Sequence, residues 1–162
     1  GQVIARLIPF TRQDAERVLA GERLSAWAPD YPREGDVHVA QWIVQGIKDL
    51  SRLPWIPYTV IDDGDAGDWA VVGGAGFHSP PHDGVVEIGY GIAESRQGRG
   101  IATAAVAQLI DLARLAGDAH RISAATGLDN IASQRVLAKC GFTRGEDLSG
   151  DEGPEQYWSL DL

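Results

Sequence analysis

The chain has 162 residues, 44% of them apolar, and a formal net charge of −9. That length suits one domain with a substantial core, residues 1–162 as a single unit, and the acidic balance tells against DNA or RNA as a partner. One cysteine, Cys140, rules out an intrachain disulfide and suits a reducing cytoplasm; no apolar run reaches the length of a membrane span and no secretory signal is evident, so no membrane partner is expected.

Gly1, in place of a starting methionine, is expected to be a processing remnant. Val3 to Ile8 reads as a strand closed by Pro9. Thr11 is placed as a helix N-cap with Asp14 in an acidic first turn. Ala15, Val18 and Leu19 form its apolar face, and Gly21 stops it. Residues 24–35, with Trp27, Pro29, Tyr31 and Pro32, read as loop. Asp36 is expected to cap a second helix reaching Leu50, on the spacing Val39, Ile43, Ile47, Leu50. Pro54 and Pro57 forbid its continuation.

Residues 57–61 and 69–77 read as strands around the polar turn Asp62-Asp63-Gly64-Asp65. That turn lacks the twelve-residue calcium loop and its closing Glu. His78 and His82 have no third ligand near them, so no metal is expected. A further strand runs from Val85 to Ala93. After a glycine-rich loop a helix reaches Ala116, with Ala102, Ala105, Leu109, Leu112 and Ala116 as its buried stripe and Gly117 as its stop. A strand from Arg121 to Thr126 follows. Asp129 or Asn130 caps a last helix, with Val136, Leu137 and Cys140 inward. Strands at 142–148 and 156–160 complete a mixed α/β (α+β) pattern.

The chemistry concentrates in residues 85–103, VVEIGYGIAESRQGRGIAT. Gln97-Gly98-Arg99-Gly100 is a glycine-rich loop that opens a helix. Such a loop points backbone N–H groups at an anion, and the helix dipole adds to the attraction. Gly98 and Gly100 allow close approach of a ligand, and Arg96 and Arg99 add positive charge. From the loop alone, an ordinary strand-to-helix connection reads equally well. In the strand before it, Glu87, Gly89 and Gly91 share one face. Paired glycines bare the backbone and often mark a bulge, which would free N–H and C=O groups. A ligand with a pyrophosphate and an amide-bearing arm fits, and coenzyme A has both. NAD is disfavoured because the full G-x-G-x-x-G and an early βαβ unit are absent. A hydrolase is disfavoured because no nucleophile elbow occurs.

At these residues the chain resembles the GNAT superfamily of acyl-CoA-dependent N-acyltransferases. The loop matches the family pattern Q/R-x-x-G-x-G/A as Gln97-x-x-Gly100-x-Ala102. In the register that aligns Gly98 and Gly100 with the two glycines, Ser95 replaces the Gln or Arg. The run DNIASQRVLAKCGF, carrying Asn130-x-x-Ser133, is similar to the last helix of the branch typified by ribosomal-protein N-terminal acetyltransferases. EIGYGI is similar to the same branch. A departure is Ala104, where relatives often have Glu.

The resemblance implies a central, twisted, mostly antiparallel sheet with flanking helices, splayed between the strands Val85 to Ala93 and Arg121 to Thr126. Acetyl-CoA would enter the notch as cosubstrate. Backbone at Tyr90 and Ile92 would bond the pantetheine arm. Amides of Gln97, Gly98, Arg99, Gly100, Ile101 and Ala102, with Thr103, would hold the pyrophosphate. Asn130 would bond the arm. Ser133 would sit near the sulfur and stabilise the leaving thiolate, since Leu137 occupies the position where many members carry a tyrosine. Ser133 as a mere helix-cap residue is the competing reading. Trp27, Tyr31, Phe77 and His78 would line the acceptor site, although most of these aromatics read equally well as core. Arg135 and Lys139 read as solvated surface charge, and Cys140 as packing.

Glu87 is the candidate base, against an exposed glutamate paired with a lysine or arginine. An α-amine titrates near 8 and a lysine near 10.4, so neutralising them at pH 7 costs about 1.4 and 4.6 kcal/mol. A carboxylate acting through water would accept that proton. The resulting expectation is a cytoplasmic enzyme that passes acetyl directly to a primary amine, at a protein N-terminus or on a small molecule. The alternatives are an aminoglycoside or polyamine acetyltransferase, which the acidic balance suits, and a non-catalytic acyl-CoA-binding regulatory module. A homodimer is compatible with the sequence.

Overall fold

The computed structural model describes residues 5–64, 68–150 and 153–162. Gly1, Val3 and Asp65 lie outside the described residues. β1 (Ala5–Pro9) is followed by α1 (Arg12–Leu19) and α2 (Glu34–Val44). Three strands come next, β2 (Pro57–Asp62), β3 (Ala70–Phe77) and β4 (Val85–Ile92). The long helix α3 (Ile101–Ala116) leads to β5 (Arg121–Gly127) and α4 (Ile131–Lys139), and β6 (Thr143–Gly150) and β7 (Gly153–Asp161) end the chain. The strands form one sheet in the order β1-β2-β3-β4-β5-β7-β6. Every pairing is antiparallel except β4–β5.

That parallel contact positions the site. It holds for three pairs, Val85–Arg121, Val86–Ile122 and Glu87–Ser123, and then the two strands part. β4 continues to Ile92 and β5 to Gly127, which leaves a notch between them. The β3–β4 register runs unbroken from Phe77–Ile88 to Gly73–Ile92. The bulge expected from Gly89 and Gly91 is therefore absent. The free backbone edge of β4 comes from the splay.

Apolar residues of α3, among them Ile101, Ala105, Val106, Leu109, Ile110 and Ala113, pack into the main core with Val60, Val72, Ile88 and Ile122. The stripe is rotated from the expected one, since Ala116 is exposed. Phe10, Ala15, Val18, Ala40 and Ile43 form a smaller core where α1 meets α2. Thr11 caps α1 as expected, and Asp14, expected only as first-turn charge, closes a reciprocal box with it. α2 departs from expectation at both ends. Arg33 is its N-cap, and Asp36 sits at the third helical position, reaching back to the Arg33 N–H. The helix stops at Val44 because Gly46 turns left-handed, φ 77°. Ile47, expected on the apolar face, is 68% exposed.

Candidate active site

A single 3-10 turn, Glu94–Arg96, carries β4 into the glycine loop. Gly100 is the N-cap of α3 at φ 82°, a left-handed conformation that favours glycine. The N–H groups of residues 98–103 find no acceptor among the described residues; the first helical bond runs from Ala104 N–H to Gly100 C=O, 3.0 Å. Among the described residues nothing stands within 4 Å of where a Cβ would lie on Gly98 or Gly100. Unfilled donors, an open approach and the dipole of a 16-residue helix together make an anion cradle. Gln97 is engaged elsewhere. Its N–H donates to the Glu94 carbonyl at 3.2 Å, and its carboxamide donates to the Ile92 carbonyl at 2.9 Å. It braces the loop against β4 rather than offering an amide to a ligand.

Two acids that sequence reasoning missed fix the loop from the other end of the chain. Asp30 accepts from the Ser95 N–H and hydroxyl at 2.8 and 2.6 Å. Buried Asp62 accepts from Arg96 at 2.8 Å and lies 3.9 Å from Arg99. Separations of 65 and 34 residues leave no local sequence signal for either contact.

Along β4 the hydrogen bonds alternate. His78 N–H donates to the Glu87 carbonyl and Ala93 N–H to the Val72 carbonyl. With an unbroken register, residues 87, 89, 91 and 93 therefore direct their backbone at β3. Tyr90 and Ile92 direct theirs into the notch. The Ile92 carbonyl is taken by Gln97, so its N–H and both groups of Tyr90 remain. The Tyr90 phenol donates to the Ser133 carbonyl at 3.1 Å, which ties α4 to β4 across the splay. Asn130 caps α4 by accepting the Ser133 backbone N–H at 3.1 Å. The Ser133 hydroxyl makes no hydrogen bond among the described residues, so the cap does not use it. Leu137 is fully buried. Cys140 is half-buried against the core and burial raises its thiol above the ordinary range, which leaves it packing.

On the opposite face, α2 and the sheet enclose a pocket of about 230 Å³ that reaches Gly89 and Tyr90. His78 lines it. One ring nitrogen, Nδ1, lies 3.1 Å from Glu87 Oε1. The other, Nε2, would stand 2.8 Å from a Cβ on Gly89, so it hangs directly over that glycine. The His78 ring, opposed by partial burial and aided by Lys48, holds the Glu87 carboxyl below its ordinary range. Phe77 lines the pocket from a buried position, edge-on to Trp55 at 4.9 Å. Trp27 and Tyr31 are placed differently from expectation. They pack edge-to-face at 5.1 Å beside β1 and lie in a separate cavity with Trp69. Arg33, Asp36, Trp42 and Lys48 line the pocket instead and were missed.

Comparison with known proteins decides the family. The family model described as acetyltransferase (GNAT) domain matches residues 5–143. The chain belongs to the GNAT acetyltransferase family. It is 36% identical over 76 residues to the uncharacterized N-acetyltransferase YjdG of Bacillus subtilis; that match spans 46% of this chain and about 45% of the relative's length. Its fold is shared with RimJ of Mycobacterium smegmatis, solved in complex with CoA-disulfide, at TM-score 0.68 and 24% identity over 99% of this chain and 85% of that one. It is shared too with AAC(6′)-Ib, solved with paromomycin and acetyl-CoA, at TM-score 0.65 and 20% identity over 99% and 94%. The residues of this GNAT domain fit coenzyme A on two counts. The donors of residues 98–103 suit a pyrophosphate, and the free edge at Tyr90 and Ile92 suits an amide-bearing arm. Among the described residues no cluster of three metal-ligating side chains occurs, and no helix is long and apolar enough to cross a membrane.

Proposed function

We propose that this protein is an acetyl-CoA-dependent N-acetyltransferase that passes the acetyl group directly to a primary amine, at a protein N-terminus or on a small molecule. The observation that carries the reading is the cradle at the start of α3 beside the unpaired edge of β4. Amides of Gly98 to Ala102, with Thr103, hold the pyrophosphate. Tyr90 and Ile92 hold the arm, and Asn130 flanks it from α4. Acetyl-CoA supplies an acyl carbon already activated as a thioester. The protein must then take a proton from the amine and help the thiolate leave.

For the first task the carboxylate works through the imidazole. Moving a proton from an α-ammonium near 7.8 to a carboxylate below the ordinary 4.3 is uphill by more than about 3.5 units, or about 5 kcal/mol. His78 presents Nε2 over Gly89, where the pocket meets the edge of β4, and Glu87 steadies Nδ1 from behind. Glu87 is thus a positioning residue and His78 the group that touches the amine. For the second task Ser133 offers a hydroxyl with no competing partner among the described residues.

A regulatory module without turnover needs no imidazole poised over Gly89 beside the free edge of β4, so that observation favours the enzyme. A polycationic acceptor, as in the paromomycin complex of AAC(6′)-Ib, is less well served. Among the described residues the acid lining the pocket, Asp36, is already paired with Arg33, and Glu87 is held by His78. Steady-state thiol release with a panel of amines and N-terminal peptides tests the reading, with mass spectrometry of the product. Acetylated product is expected. Tight acetyl-CoA binding with no product from any amine would return the protein to the binding-module class.

A further inference from the structure

The pocket beside His78 is rich in hydrogen-bond donors inside an acidic protein. The Arg33–Asp36 pair lies over the cross-strand pair Gly91 and Gly74: a Cβ on Gly91 would overlap the Arg33 guanidinium, and one on Gly74 would stand 2.6 Å from Asp36 Oδ1. Nη2 donates to Asp36 Oδ1 at 3.1 Å. Nε is buried without a partner, and Nη1 makes no hydrogen bond among the described residues. Asp36 is spoken for, because its second oxygen accepts the Arg33 backbone N–H. Burial holds its carboxyl above the ordinary range, so it is a poor counter-charge for a second cation. Lys48 adds a half-buried ammonium that donates to the Phe77 and His78 carbonyls at 3.5 and 2.9 Å and lies 5.8 Å from the Trp42 ring. Burial lowers its basicity, and the Glu87 carboxylate nearby offsets part of that fall.

Unfilled donors on a glycine floor call for a ligand that brings acceptors. We propose that the acceptor amine carries an oxyanion, a carboxylate or phosphate, which Arg33 binds with the Lys48 charge nearby, and that this pocket selects against polyamines. The inference rests on the acetyl-transfer reading. The geometry also sets a length. Arg33 sits over Gly91 and His78 over Gly89, and strand residues two apart are about 6.6 Å apart. Amine and oxyanion are therefore a few bonds apart, as in a short amino acid or an amino-phosphate. A cavity of about 230 Å³ fits a molecule of that size.

Matched pairs test this in the full-length protein: 4-aminobutanoate against butylamine and phosphoethanolamine against ethanolamine, with spermidine as the polycation. The anionic member of at least one pair should show kcat/KM about tenfold or more above its neutral partner, and which pair does so separates carboxylate from phosphate. Arg33→Gln should bring that ratio close to one, mainly through KM. Its backbone N–H still reaches Asp36, so the α2 cap survives. Neutral amines or spermidine turned over as well as the anionic ones would overturn the proposal. A binding arm separates its failure from that of acetyl transfer. On protein loaded with coenzyme A, calorimetry should show butanoate or inorganic phosphate binding, about tenfold weaker in Arg33→Gln, even if no amine is turned over. Absence of binding by both anions overturns the oxyanion site whatever the turnover result.

Discussion

The roles proposed for Glu87 and Ser133 depend on what their neighbours have already taken. Glu87→Gln keeps the size but loses the charge behind His78, and kcat should fall about 10²-fold. His78→Gln should fall at least as far. Both losses should shrink as pH rises, because the amine then deprotonates unaided. The sign for Glu87 itself follows from its lowered pKa. It stays ionised from neutral pH down past the ordinary carboxylate range, so a fall in rate between pH 8 and 6 does not come from Glu87. A pH–rate series on both variants checks this, and a constant deficit at every pH would remove the pair from proton transfer. At Ser133 the structure separates two readings that the spacing left together. The α4 cap runs from the Asn130 carboxamide to the Ser133 backbone N–H, which alanine retains. Ser133→Ala should therefore leave the melting temperature almost unchanged and lower kcat about tenfold. Asn130→Ala should cost about 1 kcal/mol of stability. Full activity in Ser133→Ala would mean that the thiolate leaves without this hydroxyl.

Elements bounded by glycine and a strong apolar period were legible from the chain alone. The bounds of α3 follow from Gly100 and Gly117, and the start of α1 from the Thr11 cap. α2 was overextended because the Val39–Ile43–Ile47 spacing outlasts the helix, which Gly46 ends. The cradle was visible because its parts are consecutive in sequence. The pocket was not, because it depends on how α2 lies on the sheet, and Arg33 on Gly91 is a contact without a local period. The glycines were the usable signal. Gly74 and Gly91 face each other across β3 and β4, and a bare pair in mid-sheet implies that something bulky rests there. The two ends of α3 also provide a controlled test of the cradle. Gly100 and Gly117 have φ of 82° and 81°, and among the described residues neither has an atom within 4 Å of its Cβ position. Valine at either should cost about 1–2 kcal/mol through left-handed strain. Only Gly100→Val should also weaken acetyl-CoA binding, by tenfold or more in calorimetry. Equal affinity in the two variants would detach the phosphate from this helix.

At the scale of the whole molecule, the sheet is two halves joined by a short seam. β1 to β4 form one half and β5, β7 and β6 the other, and three parallel pairs connect them. α3 packs on the first half and contacts α4, and the Tyr90–Ser133 bond spans the gap. A ligand lying in the notch completes the seam where the strands part, so binding should stiffen the molecule as well as occupy it. Coenzyme A at 100 times its Kd stabilises the folded state by about 2.7 kcal/mol. For a chain of this length that is a rise in Tm of about 5–10 °C. Hydrogen exchange localises the effect, because adjacent residues of β4 face opposite ways. Gly89 and Gly91 bond to β3 and should be protected with or without ligand. The Tyr90 and Ile92 amides face the notch and should exchange readily in the free protein, then slow when coenzyme A is added. Protection that rises uniformly along β4 would indicate general stabilisation from binding elsewhere. The alternating pattern requires the arm to act as the strand that β5 fails to supply.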